Sequence, residues 1–289
     1  MSKLILGTVQ FGLNYGINNL RGKPNSNEIK KILDFAFKNE IDILDTAEVY
    51  GESQERIGEY HKISDNKFKI ITKYGNLRND LPTNIIDRVT NNLTILNVNN
   101  LYCYMFHNFN DYKSLFSLFR KDLLSLKRNG LIKKLGVSLH SNDEIIEVLR
   151  NDEIDLVQLP FNLLDNCNKR EEILKKAKKK GVEIHTRSVF LQGLFFKDSD
   201  KLKGNLLELK EDLNKIKGLV SKEDMNDLAL NYTYSKKYID YVLLGVDSVD
   251  QLKDNIHCIN NNTTKSINSE VDKIIVKNSF ILNPSNWKE

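Results

Sequence analysis

Four side chains in this sequence could carry out proton chemistry together: Asp45, Tyr50, Lys73 and His107. Asp45 closes the apolar run Ile41-Asp-Ile-Leu-Asp45. A carboxylate at the end of a buried strand is costly unless a cation meets it. Lys73, which closes Phe68-Lys-Ile-Ile-Thr-Lys73, would be that cation. Tyr50 follows Asp45 by five positions and stands next to Gly51. A phenol titrates near ~10, too high for efficient proton transfer at neutral pH. A neighbouring ammonium stabilises the phenolate and lowers that value, while the carboxylate keeps the lysine charged and oriented. His107, after Tyr-Met-Phe, would hydrogen-bond a developing oxyanion or relay a proton. The chemistry such a set supports is proton transfer to a carbonyl oxygen. None of the four is a hydride source or a strong nucleophile, so a redox cofactor is the natural complement.

Each residue also has a plainer use. An Asp before Thr can be only a helix cap, a strand-end Lys a surface residue, and the His a satisfied core group. Their joint occurrence on three successive strands is what points to a site. The strands follow from short apolar runs alternating with helical patterns. Runs at 4–9, 41–45, 68–73, 101–107, 134–138, 154–159, 182–187 and 239–244 read as strands. A Gly- and Asn-rich loop continues from the first run through Lys23. Helical patterns cover 28–39, 52–60, 85–96, 111–129, 141–150, 169–180, 206–217, 222–235, 248–259 and 269–280, the last followed by a polar tail. Gly130 and Gly181 stand where helix ends need them, and Ser141-Asn-Asp-Glu144 is a capping-box pattern. Eight strands alternating with helices predict an α/β fold, and the count of eight predicts a closed (β/α)8 TIM barrel. Gly7, Gly12 and Gly16 lack the G-x-G-x-x-G spacing of the open dinucleotide-binding sheet. No internal linker interrupts residues 1–289, so a single domain is expected.

The chain has 289 residues, 40% of them hydrophobic and 28% charged, enough for a substantial core. Its net charge of +4 is mild, with lysines scattered over helix faces as in 171–180. Nucleic-acid binding would need a clustered basic stripe with stacking aromatics, and the sequence has none. Cys103, Cys167 and Cys258 are odd in number without CxxC spacing, which argues against a disulfide framework or a cysteine metal site. No apolar run approaches the ~18 residues of a membrane span, and the chain opens on a strand rather than a signal peptide. A cytoplasmic protein with no metal is expected.

At these residues the sequence resembles the aldo-keto reductase family. Asp45-Thr-Ala-Glu-Val-Tyr-Gly51, continuing through Gly58, resembles the family's second-strand signature. Ile-Ile-Thr-Lys73 and Tyr-Met-Phe-His107 resemble its lysine and histidine strands, and Gly7-Thr-Val-Gln-Phe-Gly12 its first strand and loop. The similarity runs from about Leu4 to Asn255. It implies a catalytic tetrad of Asp45, Tyr50, Lys73 and His107 with Tyr50 as general acid. It also implies a nicotinamide cofactor, NADP(H) by family habit with NAD(H) open as well, lying extended across the barrel mouth. Ser138 and Gln158 would meet the carboxamide. The segment holding Arg187, Ser188, Phe190, Gln192 and Gly193 would line the nicotinamide and pyrophosphate. Gly245, Ser248, Gln251 and Asn255 would hold the adenosine end.

Several positions depart from the family pattern. Arg187 stands where an aromatic is frequent, Leu139 and His140 follow Ser138 in place of a polar group, and Asp247 replaces a basic residue that would meet a 2′-phosphate. A carboxylate there would repel that phosphate and could accept from a ribose hydroxyl, although Lys253 could restore a positive contact. The hairpin that usually plugs the barrel bottom looks shortened or absent. The short segment after the last helix would leave a shallow substrate pocket. Phe11, Tyr15, Asn108, Phe109, Phe161 and Phe190 are candidates for its walls. Asn108 and Asn162 lean toward a hydroxylated, sugar-like carbonyl compound. The expected function is NAD(P)(H)-dependent interconversion of a small carbonyl and an alcohol. A cofactor-binding regulatory or partner subunit with little turnover is the alternative, and a cofactor-free barrel isomerase or lyase is a third reading.

Overall fold

The eight apolar runs become eight parallel strands closed into one barrel, β1 (Leu4–Gly7), β2 (Ile43–Asp45), β3 (Lys69–Tyr74), β4 (Leu101–Phe106), β5 (Ile132–Ser138), β6 (Leu156–Pro160), β7 (Glu183–Arg187) and β8 (Tyr241–Gly245). The barrel closes where β1 pairs with β8, Leu4 opposite Val242 through Gly7 opposite Gly245. The computed structural model describes residues 2–16, 22–75, 84–261 and 265–288. The loop expected to run through Lys23 lies partly outside them.

Around the barrel stand α1 (Val9–Gly12), α2 (Ser26–Lys38), α3 (Ser53–Ile63), α4 (Ile85–Leu96), α5 (Phe109–Arg128), α6 (Asn142–Val148), α7 (Cys167–Lys179), α8 (Lys210–Lys217), α9 (Met225–Tyr234), α10 (Val249–Asn261) and α11 (Asn268–Asp272). Their starts follow local chemistry. Asn25 with Glu28, and Ser141 with Glu144, close reciprocal capping boxes on α2 and α6. Gly130, at φ 75°, provides the left-handed turn after α5. Two helical expectations shrink. The 206–217 segment begins as a 3-10 turn, Gly204–Leu209, before α8, and the last helix stops at Asp272 instead of Phe280. After it the chain turns on its own polar side chains, with Asn278 capping Phe280 and Asn283 capping Ser285. Among the described residues, no helix is long and apolar enough to cross a membrane.

The pleat sorts side chains by parity, because successive residues of a strand face opposite ways. Leu44, Ile70, Tyr104, Val157 and Ile184 belong to the large core between sheet and helices. Ile5, Ile43, Ile71, Cys103, Met105 and Leu156 form a separate interior cluster. On β2, β3 and β6 the next residue of that inward parity is Asp45, Lys73 and Gln158, and for β4 it is His107, one residue past the strand's end. Room inside is tight. A Cβ added at Gly136 would stand 2.9 Å from Met105 Cγ and 3.0 Å from Cys103 Sγ.

Below the interior cluster, at the N-terminal strand ends, a polar knot fills the space. Among the described residues no strand precedes β1. Tyr102 Oη donates to both oxygens of Glu183 at 2.9 and 3.0 Å, Lys134 Nζ pairs with the same carboxylate, and His185 Nε2 lies 2.7 Å from Glu183 Oε1. Burial opposes ionisation of Glu183, but the hydrogen bond and charge of His185, then Lys134 and Tyr102, hold the carboxyl down at about 2. That value lies below the unfolded one near ~4.3, so the ionised Glu183 contributes stability above pH ~4.3 that disappears as pH falls toward 2. Replacing Glu183→Gln should cost about 2–3 kcal/mol at pH 7, and the deficit should narrow at pH 2.5, as read by urea unfolding at both pH values.

Candidate active site

The strand-end residues converge on one rim. Asp45 is 1% exposed and Lys73 1% exposed, and they form a direct ion pair through Lys73 Nζ and Asp45 Oδ1. Lys73 Nζ also donates to Thr46 O at 3.1 Å, and Gln158 Nε2 donates to Asp45 Oδ2 at 2.8 Å. Burial alone would lower the Lys73 ammonium pKa, but Asp45 and then Tyr50 outweigh it and raise the net value. The lysine is therefore charged at neutral pH. Its Nζ stands 5.3 Å from the centroid of the Tyr50 ring.

Tyr50 is positioned by a turn that two strands brace. Tyr50 N donates to Ala47 O at 3.0 Å, and Ser53 N returns to Tyr50 O at 3.1 Å. Ser53 Oγ donates to Thr8 O at 2.9 Å and lies 3.1 Å from Thr46 Oγ1, tying the start of α3 to the ends of β1 and β2. Gly12 lets the loop after β1 reach this turn, since a Cβ there would stand 1.8 Å from Tyr50 O. The Tyr50 and His107 rings meet edge to face, with centroids 5.6 Å apart. Burial raises the Tyr50 pKa above the ordinary tyrosine value, against the downward pull of Lys73 and Arg187. Lys73 thus acts in the expected direction without setting the net shift. Burial, then Lys73, Arg187 and His140, push His107 down to about 3, so its imidazole is neutral near pH 7.

These residues open into a cavity of about 810 Å³, within the range of small-molecule sites. Asp45, Tyr50, His107, Ser138, Gln158, Arg187, Ser188, Phe190, Gln192, Gly193, Gly245, Gln251 and Asn255 all line it. Two expected site residues do not. Lys73 lies beneath the wall against Asp45, and Ser248 serves α10, its Oγ accepting from Gln251 N at 3.2 Å. The segment after β7 is held in an uncommon backbone, with left-handed Ser188 (φ 61°), Leu191 (φ 45°), Gln192 (φ 54°) and Gly193 (φ 90°). In residues other than glycine such conformations cost on the order of 1–3 kcal/mol each and cluster at ligand sites.

The part of the cavity wall around α9, the end of β8 and α10 is acidic. Glu223, Asp247 and Asp254 line it, whereas Arg187 is the sole Lys or Arg in the wall among the described residues. Lys253 does not offset them, because it pairs with Asp250 and lies 5.9 Å from the Phe35 ring centroid. Asp247 Oδ1 and Gln10 Oε1, both in the wall, are buried acceptors without a hydrogen-bond partner among the described residues.

Other expectations change. Of the proposed substrate walls, Tyr15 and Phe190 line the cavity, while Phe11 and Phe161 are fully buried in the core. Asn108 caps α5 and Asn162 braces its own turn, accepting from Leu164 N and Asp165 N, and neither lines the cavity. The pocket is also less open than expected, because the tail returns and places Asn283, Pro284 and Ser285 in its wall. Gln10, Glu223, Asn226, Asp254 and the tail escaped sequence reasoning. Gln10 lay within the quoted first-strand motif and its spacing was a usable signal; the others have no local one.

Because the buried ion pair needs both partners, Lys73→Met should lose about 3–5 kcal/mol of stability. Adding Asp45→Asn should recover part of that loss in a double-mutant cycle read by urea unfolding.

A model of the Aldo/keto reductase family matches residues 3–276. The chain is 24% identical over 289 residues to the uncharacterized oxidoreductase YqkF of Bacillus subtilis, covering 90% of this chain and 92% of that protein. It is 27% identical over 315 residues to D-arabinose 1-dehydrogenase of Saccharomyces cerevisiae, covering 97% and 91%. The fold also matches the solved aldo-keto reductase AKR11C1 from Bacillus halodurans in its holo form, with a TM-score of 0.74 at 20% identity over 95% of this chain and 93% of that one. The chain belongs to the aldo/keto reductase family and is an oxidoreductase of the (β/α)8 barrel class.

Proposed function

We propose that this protein interconverts a small carbonyl compound and its alcohol using a nicotinamide dinucleotide, with Tyr50 as the proton donor. The observation that carries the reading is the buried Lys73–Asp45 pair set beside Tyr50 at the floor of the cavity. A bound dinucleotide supplies the hydride. Tyr50 is protonated at neutral pH and gives its proton to the carbonyl oxygen, while Lys73 stabilises the phenolate left behind. Asp45 and Gln158 hold the ammonium in place. Neutral His107, facing the Tyr50 ring, orients the carbonyl through a ring nitrogen. Ser138 and Gln158 lie opposite one another across β5 and β6 and serve the carboxamide; Gln192 and Gly193 sit in the left-handed segment suited to the pyrophosphate. In this reading Tyr50→Phe lowers kcat/KM by about 10²–10⁴-fold while the protein still binds cofactor, measured by steady-state kinetics and fluorescence titration. Unchanged turnover in that variant removes Tyr50 from the mechanism.

The residues of the acidic wall suit NAD(H) better than NADP(H). With nicotinamide at Tyr50, the adenosine ribose reaches the end lined by Gln10, Asp247, Gln251 and Asn255. The unpartnered acceptors Asp247 Oδ1 and Gln10 Oε1 match the hydroxyl donors of a ribose. A 2′-phosphate brings two negative charges beside Glu223, Asp247 and Asp254. NADH should therefore bind at least about tenfold more tightly than NADPH, and Asp247→Arg should reverse the order, both read by fluorescence titration. Tighter NADPH binding by the wild type overturns this assignment.

A further inference from the structure

We infer that Arg187 is the receptor for a carboxylate on the substrate, so that the carbonyl compound accepted here is an oxo acid or acid aldehyde rather than a neutral one. The inference deepens the proposed carbonyl chemistry and rests on it. Arg187 ends β7 and faces the cavity. Its Nη2 donates to Leu139 O at 3.3 Å and meets the His140 ring, 2.9 Å from Nε2, while Nη1 reaches Ser188 Oγ at 3.4 Å. Those contacts aim the guanidinium but leave its charge uncompensated. None of the carboxylates in the described residues forms an ion pair with it. Asp165 is taken by Arg170, with Nε to Oδ1 at 2.6 Å and Nη2 to Oδ2 at 2.7 Å, and Asp45 is taken by Lys73. His140 neither offsets nor adds to that charge: burial, then Arg187 and Arg170, push it down to about 4, so its imidazole is neutral near pH 7.

A partly buried, unpaired guanidinium is expensive, and an anionic ligand relieves the cost. The cofactor does not bring that anion to this place. Arg187 acts electrostatically on Tyr50 and His107, which puts it at the reacting end of the cavity. The ring of the dinucleotide that reacts there is neutral when reduced and cationic when oxidised. In the proposed reading its phosphates meet Gln192 and Gly193, five and six residues beyond Arg187 in the segment after β7. The substrate is the remaining source of negative charge. Because Arg187 is the sole Lys or Arg in the described wall, a monoanion fits better than a phosphate dianion, and the planar fork of a guanidinium matches a carboxylate with two parallel hydrogen bonds.

The test compares acid and neutral members of matched pairs: succinic semialdehyde with butanal, and D-glucuronate with D-glucose. The wild type should favour the acid member in kcat/KM by about tenfold or more, and Arg187→Gln should collapse that ratio by a similar factor, with Arg187→Lys retaining part of it. A wild-type ratio near one overturns the inference. So does an Arg187→Gln variant in which both members fall equally, since that would mark a role toward the cofactor or the fold. Calorimetric titration of the protein with 4-hydroxybutyrate and with 1,4-butanediol, with and without NADH, separates this inference from the reading on which it rests. Binding of the acid that is lost in Arg187→Gln upholds the anion subsite even where no carbonyl is turned over. In that case the proposed reaction falls and the subsite stands. Equal binding of acid and diol, or binding of neither, removes the subsite.

Discussion

Lys73 and Asp45 meet in a place where neither charge could stand alone, and their pairing constrains three strands at once. The lysine comes from β3, the carboxylate from β2, and the second oxygen of the carboxylate is held by Gln158 from β6, across the barrel. Two charges withdrawn from water in this way cost several kcal/mol each unless geometry and hydrogen bonds are complete. Here they nearly are. Asp45 receives Lys73 and Gln158, and Lys73 reaches both Asp45 and the Thr46 carbonyl. The cation that satisfies the floor also lies against Tyr50, so the same electrostatic solution that keeps the barrel intact sets the environment of the phenol.

The cavity above that floor is lined by unlike charges. A guanidinium, a left-handed backbone segment and the carboxylates of Glu223, Asp247 and Asp254, with the unpartnered acceptors of Asp247 and Gln10, share its wall. Two arginines treat the loop after β5 differently. Arg170 donates to His140 O at 2.5 Å with its own charge neutralised by Asp165, whereas Arg187 meets the same histidine's ring with its charge free to act on the cavity. One anchors and the other attracts.

The barrel and its floor were legible because their signals are local. Each strand is a short apolar run, and Asp45, Lys73 and His107 sit at the ends of such runs with the inward parity of the pleat. What was illegible depends on contacts far along the chain. Asn108 and Asn162 look like pocket polar groups in sequence, but backbone amides a few residues on claim them. Lys253 looks available to a phosphate until its helix turns it toward Phe35 and Asp250. The sign of the Tyr50 shift required knowing how much burial opposes the lysine. The tail at Asn283–Ser285 reaches the cavity through turns set by its own asparagines, which no periodicity announces.

Strand parity gives the site a reading frame. Ile43 and Asp45, Ile71 and Lys73, Met105 and His107, and Leu156 and Gln158 each share the inward face two residues apart. A one-residue deletion within any of these strands exchanges the face that each later side chain presents, sending a functional group toward the helices and a core residue into the cavity. Loops between strands carry no such parity, although those that hold Tyr50 and the Ser188–Gly193 segment are fixed by their own turns. The barrel thus confines variation in length to its connections and leaves its strands almost no freedom to drift.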